Sequence, residues 1–376
     1  MTRISWERLA AAAGLAFVVL YVAAFALGIE VGDSDREILA YYANSGHRAK
    51  EIVAFFLIAG AALALLVFAS ALRSLIARAE RETAVLAALA WAGGIACAVL
   101  VGVVPEALTA MPQSKFAAAA ASAYNDWLID TWLRADDRFK GAVGVAAQEP
   151  RLAAREIDRV GGHPGMLQVN LPVAPPMLPW GHEFFHPIWE AAVRNRLPVS
   201  FHVGTPTGVM GEPTASGWPA TYMELRSGFP GHFQNAVISL VCNGVFERFP
   251  ELRVVLLEGG FSWAPSLMWR LDQSWRDARR EVPWLKRRPS EYIREHVRFG
   301  TQPMEEPDDP RQLLQVIDML GSEDLLMFST DYPHWDYDTP QAAIPSVFGP
   351  ALRRKILWEN ARDFYGLPEP VPVAAG

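Results

Sequence analysis

Leu325-Leu326-Met327-Phe328-Ser329-Thr330-Asp331-Tyr332-Pro333-His334 decides how the rest of the chain is read. Four apolar residues run without interruption into a polar turn that carries a carboxylate, a phenol and an imidazole. Such a run suits a strand buried on both faces, as in a parallel sheet covered by helices. Pro333 has no N–H to give to a ladder, so the strand stops before it and leaves Asp331 at its C-terminal end. In a parallel α/β barrel that end of a strand is where catalytic groups are collected. A turn aspartate after a core strand would look the same, so the other strands have to decide.

Five more segments read as buried strands: Phe139–Ala146, Met166–Leu171, Pro198–Gly204, Leu252–Glu258 and Val297–Thr301. Helical segments separate them. Pro150–Val160 is amphipathic and is stopped by Gly161-Gly162; Phe185–Arg196, Asn235–Phe249, Phe261–Arg279 and Asp309–Leu320 follow, and Pro350–Tyr365 closes the series. Strand and helix in alternation predict right-handed βαβ units on a parallel sheet. The expected fold class is α/β, an incomplete (β/α)8 TIM-type barrel of about six parallel strands, short of the eight that closure requires. Its two open edges would expose unpaired backbone groups, which a second copy of the chain, a homo-oligomer, would cover.

The first third has a different composition. Only Pro105 and Pro112 of the 28 prolines, and Trp6 and Trp91 of the 13 tryptophans, precede residue 113. Residues 9–29, 52–72 and 84–104 carry no charge. At ~1.5 Å rise per residue each is long enough to span a hydrocarbon core of ~30 Å. The expectation is a domain of three transmembrane α-helices over 1–112, a multi-pass membrane localisation, and a barrel domain over 113–376. Arg3 and Arg8 before the first span, with Arg73, Arg78 and Arg81 after the second, favour a cytoplasmic N-terminus. Three spans would then carry the barrel to the far side of the membrane.

A net charge of −7 without a basic block gives nothing that points to a nucleic-acid partner. Cys97 and Cys242 lie in unlike settings and form no disulfide framework. Neither a G-x-G-x-x-G nor a P-loop occurs. What remains is a set of strand ends. His202 ends one apolar strand, Glu258 another, and Asp331 the last, so an imidazole and two carboxylates would converge on one face of the barrel. Those are groups that hold a divalent ion in a catalytic site.

The matching phrases are Tyr124-Asn125-Asp126-Trp127, Leu197-Pro198-Val199-Ser200-Phe201-His202-Val203-Gly204, Glu258-Gly259-Gly260-Phe261-Ser262-Trp263, Arg270-Leu271-Asp272, Glu291 to Arg298, and Ser329 to His334. In that order they resemble the amidohydrolase-related family, which includes aminocarboxymuconate-semialdehyde decarboxylase-like enzymes. The resemblance covers about Tyr124 to Leu367. It implies a divalent metal ion (Zn²⁺ foremost, with Mn²⁺ and Fe²⁺ as alternatives) held by an acid-x-His or His-x-His pair on the first strand, by His202 and by Asp331. Glu258 and Trp263 match the sixth-strand end, which faces the substrate and is not usually a metal ligand in that family. The first-strand pair is missing: no His-x-His or Asp-x-His occurs anywhere in the chain.

The catalytic candidates are therefore Asp331, Glu258 and His334. His202 and Asp331 are the metal ligands, and Trp263, Tyr332 and Trp335 are candidates for the substrate-binding wall. The implied activity is a metal-dependent hydrolase or decarboxylase (carboxy-lyase) acting on a small organic acid or cyclic substrate, impaired by the lost ligand pair. The alternative is a non-catalytic barrel remnant, or a gene-fusion product, anchored in a membrane.

Overall fold

The structure, a computed structural model, describes residues 108–176, 178–203, 219–332, 337–339 and 343–368, with isolated helical positions before residue 58. Two compact units make up the chain, Met1–Val101 and Gly102–Gly376. Apart from those isolated positions, the expected spans over 9–29, 52–72 and 84–104 lie outside the described residues. Among the described residues no helix is long and apolar enough to cross a membrane.

In the second unit, six strands form one sheet: β1 (Gly141–Gly144), β2 (Met166–Pro172), β3 (Val199–His202), β4 (Val254–Leu257), β5 (Val297–Gly300) and β6 (Leu326–Met327). They stand in sequence order and every neighbouring pair is parallel. Ten α-helices are described in this unit. α1 (Ser114–Leu128) precedes β1, α2 (Pro150–Val160) and α3 (His186–Arg194) follow β1 and β2, and α4 (Tyr222–Cys242) with the short α5 (Val245–Arg248) follows β3. Beyond β4 come α6 (Ala264–Ala278) and α7 (Pro289–His296); α8 (Arg311–Leu320) links β5 to β6, and α9 (Gly349–Arg354) and α10 (Asn360–Tyr365) come last. Each of the six expected strands is present, trimmed at one or both ends or extended by a residue.

Period-two alternation divides each strand between two faces. Val169, Val199, Phe201, Val254, Leu256 and Phe299 point outward into the core shared with the helices, each fully buried. Burying a side chain of that size contributes about 1.5–3 kcal/mol. The alternate positions face inward and are more polar: Gln168, Asn170, Ser200, His202 and Arg298 beside Val255 and Met327. Ser200 Oγ donates to Asn170 Oδ1 (2.8 Å) and so ties β3 to β2 on that face.

Both sheet edges are occupied from within the chain. At β1, Asn125 of α1 donates through Nδ2 to Gly144 O (2.9 Å) and accepts from Gly144 N (2.9 Å), the two bonds a neighbouring strand would make. At β6, Asn360 Nδ2 donates to Leu326 O (2.8 Å), and Phe328 N donates to Ile356 O (2.9 Å) in the π-helical turn Lys355–Glu359. These bonds, all local to the unit, satisfy Gly144 at one edge and Leu326 O and Phe328 N at the other, part of what the sequence reading assigned to a second copy.

The inward face has a floor. Phe364 packs with Val255 and Met327, and the guanidinium groups of Arg253 and Arg298 lie 5.1 and 5.6 Å from its ring centroid. Tyr365 donates through its hydroxyl to Gln168 Oε1 (2.6 Å). Side chains that touch β2, β4, β5 and β6 together can only sit inside the curve of the sheet. α10 therefore plugs the end of the bowl nearest the strand N-termini.

Two helices depart from the sequence reading. α4 begins at Tyr222, well before the expected Asn235, because Thr221 accepts from Glu224 N while Glu224 Oε2 accepts from Ala220 N. That pair of bonds, a capping box shifted by one residue on its return side, starts the helix ahead of Gly228, Pro230 and Gly231, which read as breakers in the sequence. α7 was hidden inside the Glu291–Arg298 phrase, and Pro289 in its first turn supplies its start.

Candidate metal centre

Strand direction brings the sites together. His202 is the last residue of β3, Glu258 follows the last residue of β4, and Asp331 lies just beyond β6. In a flat sheet, β3 and β6 would stand about 14 Å apart at ~4.8 Å per strand. Yet one ligand atom from each of His202, Glu258 and Asp331 lies within 4.8 Å of the other two. The sheet curves enough to converge its strand ends, as the barrel reading requires.

Backbone strain marks the same residues. Three non-glycine residues among those described have positive φ, and two of them are Glu258 (65°) and Asp331 (56°). A left-handed L-residue costs on the order of 1–3 kcal/mol and persists only where its surroundings over-determine it. Around Glu258 those surroundings are visible. Trp263 Nε1 donates to Gly259 O (2.8 Å), and Glu305 Oε1 accepts from Ser262 N (3.1 Å) and Phe261 N (3.3 Å). Around Asp331, Ser329 is pinned between strand ends: its Oγ accepts from Gln302 N (3.0 Å) and its N donates to Thr301 Oγ1 (3.2 Å).

The chemistry of the donor set fits a cation. His202 Nδ1 lies 2.7 Å from Val203 O, an acceptor only, so Nδ1 carries a hydrogen and Nε2 is the ring nitrogen left to serve as a ligand. Nε2 faces Glu258 Oε2 at 3.2 Å. That carboxylate oxygen is buried and has no hydrogen-bond partner among the described residues. Two lone pairs in contact repel unless a proton or a metal ion lies between them. A separation of 3.2 Å also suits adjacent ligands on bonds of about 2.1 Å. One imidazole and two carboxylates are enough protein ligands for a catalytic ion that keeps an open position.

The other candidates divide. Tyr332 is 46% exposed and meets Tyr337 edge-on (5.4 Å) at the rim. Trp263 turns away from the mouth, edge-on to outward-facing Phe299 (5.6 Å). His334 and Trp335 lie outside the described residues. Glu305, Thr301 and Ser329 were not foreseen; each acts through a bond to a distant backbone group, which leaves no local pattern. A groove of about 410 Å³, lined by Gly162, His163, Arg194, Arg196 and Tyr365 among others, lies at the opposite end of β2 and β3. It gathers no carboxylates, and we place the chemistry at the strand C-termini.

A family model described as amidohydrolase (Amidohydro_2) matches residues 103–367. The chain belongs to this amidohydrolase family. Within it, the chain is similar to the gamma-resorcylate decarboxylase of Polaromonas sp., 26% identical over 289 residues that cover 69% of this chain and 80% of that protein. Among solved structures it resembles a dihydroxybenzoic acid decarboxylase from Polaromonas sp. with bound manganese and the inhibitor 2-nitroresorcinol. That likeness has a TM-score of 0.55 and 24% identity, and it covers 70% of this chain and 79% of that one. A 5-carboxyvanillate decarboxylase from Novosphingobium aromaticivorans, also with manganese, gives a TM-score of 0.57 at 22% identity over 70% of this chain and 75% of that one. These structural likenesses establish the amidohydrolase barrel as the fold. The manganese in both structures differs from the zinc expected of this amidohydrolase by resemblance.

Proposed function

We propose that the chain is a divalent-metal-dependent carboxy-lyase that removes CO2 from a hydroxylated aromatic acid. The observation that carries the reading is the convergence of His202, Glu258 and Asp331, with the buried Glu258 Oε2 lacking a hydrogen-bond partner. The names of the similar proteins support decarboxylation over hydrolysis, which the sequence left open. His202 and Asp331 would be ligands, and Glu258 would make up for the first-strand pair that the chain lacks. Two hard carboxylate donors beside one imidazole suit Mn²⁺ at least as well as Zn²⁺. When bound, the ion supplies positive charge that holds an acidic substrate and stabilises the negative charge developing during reaction.

The protein's own groups do the rest. Val203 O keeps His202 in one tautomer and one ring orientation. The left-handed turns at Glu258 and Asp331 hold both carboxylates at the mouth before substrate arrives, so no reorganisation is needed during the reaction. Asp331, ligating through one oxygen, takes the proton of the substrate's phenolic hydroxyl on the other and passes it to the ring carbon that bears the carboxylate, leaving the phenolate. The bond from that carbon to the carboxylate then breaks, its electron pair returns to the ring, and CO2 leaves. Tyr332, at the exposed rim, is placed to contact the aromatic ring as it enters.

The test is CO2 release from 2,6-dihydroxybenzoate and 5-carboxyvanillate by the full chain loaded with Mn²⁺, beside Mn²⁺ titration of the parent, His202→Ala and Asp331→Asn. Turnover lost in both variants, together with Mn²⁺ binding, supports the proposal. A parent chain that binds no Mn²⁺ would refute it, and so would one that binds Mn²⁺ but decarboxylates neither acid.

A further inference from the structure

We propose that Glu305 is a positioning residue that holds the Glu258 carboxylate within the ligand cluster, a role that rests on the metal-site reading above. The ladder between β4 and β5 ends at Leu256–Phe299. Beyond it, the turn from Glu258 to Trp263 has no strand bonds to β5, yet it carries positive φ at Glu258 and at Gly260 (62°). Two clamps hold it. One is internal, Trp263 Nε1 on Gly259 O. The other reaches across from the loop after β5: Glu305 Oε1 accepts from Phe261 N and Ser262 N, the N–H groups just ahead of α6.

A carboxylate accepting two N–H bonds at a helix start is favoured by its charge and by the helix dipole. An ordinary N-cap, however, comes from the residue beside the helix. Here the acceptor comes from 44 and 43 residues away, on the neighbouring strand's loop. It therefore fixes the β4 turn relative to the end of β5, the frame to which Ser329, two residues before Asp331, is also tied through Gln302 and Thr301. The fit is close: a Cβ built on Gly260 would lie 2.6 Å from Glu305 Oε1. Glu305 Oε2 is itself buried without a hydrogen-bond partner among the described residues. A residue that served only to cap α6 would not need to bring an unpaired buried oxygen to that place.

The test uses the full chain with Glu305→Ala and Glu305→Gln, read by hydrogen exchange and by Mn²⁺ titration. Glu305→Ala is expected to speed exchange at the Phe261 and Ser262 amides while the interior of α6 keeps its protection, and to lower the thermal midpoint by no more than the loss of a helix cap does. Mn²⁺ affinity should fall about tenfold, the lower end of what removing a supporting residue costs a metal site. Glu305→Gln keeps a neutral acceptor oxygen and should restore most of that affinity. Faster exchange with parent-like Mn²⁺ affinity would reduce Glu305 to a helix cap and overturn the proposal, as would unchanged exchange at those amides. A parent chain that takes up no Mn²⁺ overturns the metal reading and this proposal together. A parent that binds Mn²⁺ while Glu305→Ala binds it equally well overturns the proposal alone.

Discussion

Asn125→Ala should test whether an incomplete barrel can stand on side chains that replace strands. Asn125 is wholly buried and makes both bonds to Gly144. Its Nδ2 also donates to Glu156 Oε1 (2.8 Å). Truncation leaves the buried Gly144 N–H and C=O unpaired, at about 1–3 kcal/mol each. The expected loss is about 4 kcal/mol, a large share of the ~5–15 kcal/mol stability of a typical domain. Urea unfolding followed by tryptophan fluorescence will read it. Eleven of the 13 tryptophans lie in the Gly102–Gly376 unit, since only Trp6 and Trp91 precede it. Asn125→Asp should be at least as costly despite its matching shape, because it cannot donate to Gly144 O and sets a carboxylate against Glu156.

A pH series provides a second reading of the same network. Burial pushes Glu156 upward, but hydrogen bonds from Arg159, Ser122 and Asn125 and the charge of Arg159 outweigh it and hold the carboxyl below its ordinary 4.5. Glu156 thus contributes stability above about pH 4.5 that is lost as pH falls through its folded-state value. Asn125→Ala should shrink that acid-dependent part. A change within ~0.5 kcal/mol, the range of ordinary surface substitutions, would refute the reasoning.

Further outcomes follow from the same structure. Phe364→Ala should cost about 3–5 kcal/mol in urea unfolding, as expected for a buried phenylalanine, and should increase binding of hydrophobic dyes to the unplugged bowl. Burial pushes His296, stacked on Phe246 at 4.5 Å, below its ordinary 6.5. The unfolded chain then takes up the proton first, so stability drops as pH falls below about 6.5, and the slope between pH 6.5 and 5 should be shallower in His296→Gln. Gly260→Ala puts a Cβ against Glu305 at a left-handed position, and the unfolding free energy should drop by more than the ~1 kcal/mol that the backbone change alone costs.

Much of this architecture is legible in the sequence because each strand is a short aliphatic run bounded by Pro, Gly or a charged turn. The strand-end positions of His202, Glu258 and Asp331 follow from those runs, and in a curved parallel sheet a shared strand-relative position becomes nearness in space. The edge coverings are not legible. Asn125 and Asn360 act through side-chain bonds to backbone groups 19 and 34 residues away, and no period records such a bond. The same holds for Glu305. The positive φ at Glu258 was also hidden, because glutamate gives no hint of a left-handed turn, whereas Gly260 beside it does. Trp263 read as a pocket wall because aromatics line such sites, but its indole N–H is committed to Gly259 and its ring to Phe299.

The location of the plug bears on how the chain is made. Synthesis runs from the N-terminus, so β1 to β5 and their helices emerge before Asn360, Phe364 and Tyr365 exist. Until those residues leave the ribosome, the β6 edge lacks its asparagine and the inward face of the sheet lies open beneath Val255. A nascent chain in that state carries an unpaired strand edge beside exposed apolar surface, the combination that recruits chaperones or leads to aggregation. Translation that stops a few codons before Asn360 should therefore release insoluble protein even though every strand and His202, Glu258 and Asp331 are already present.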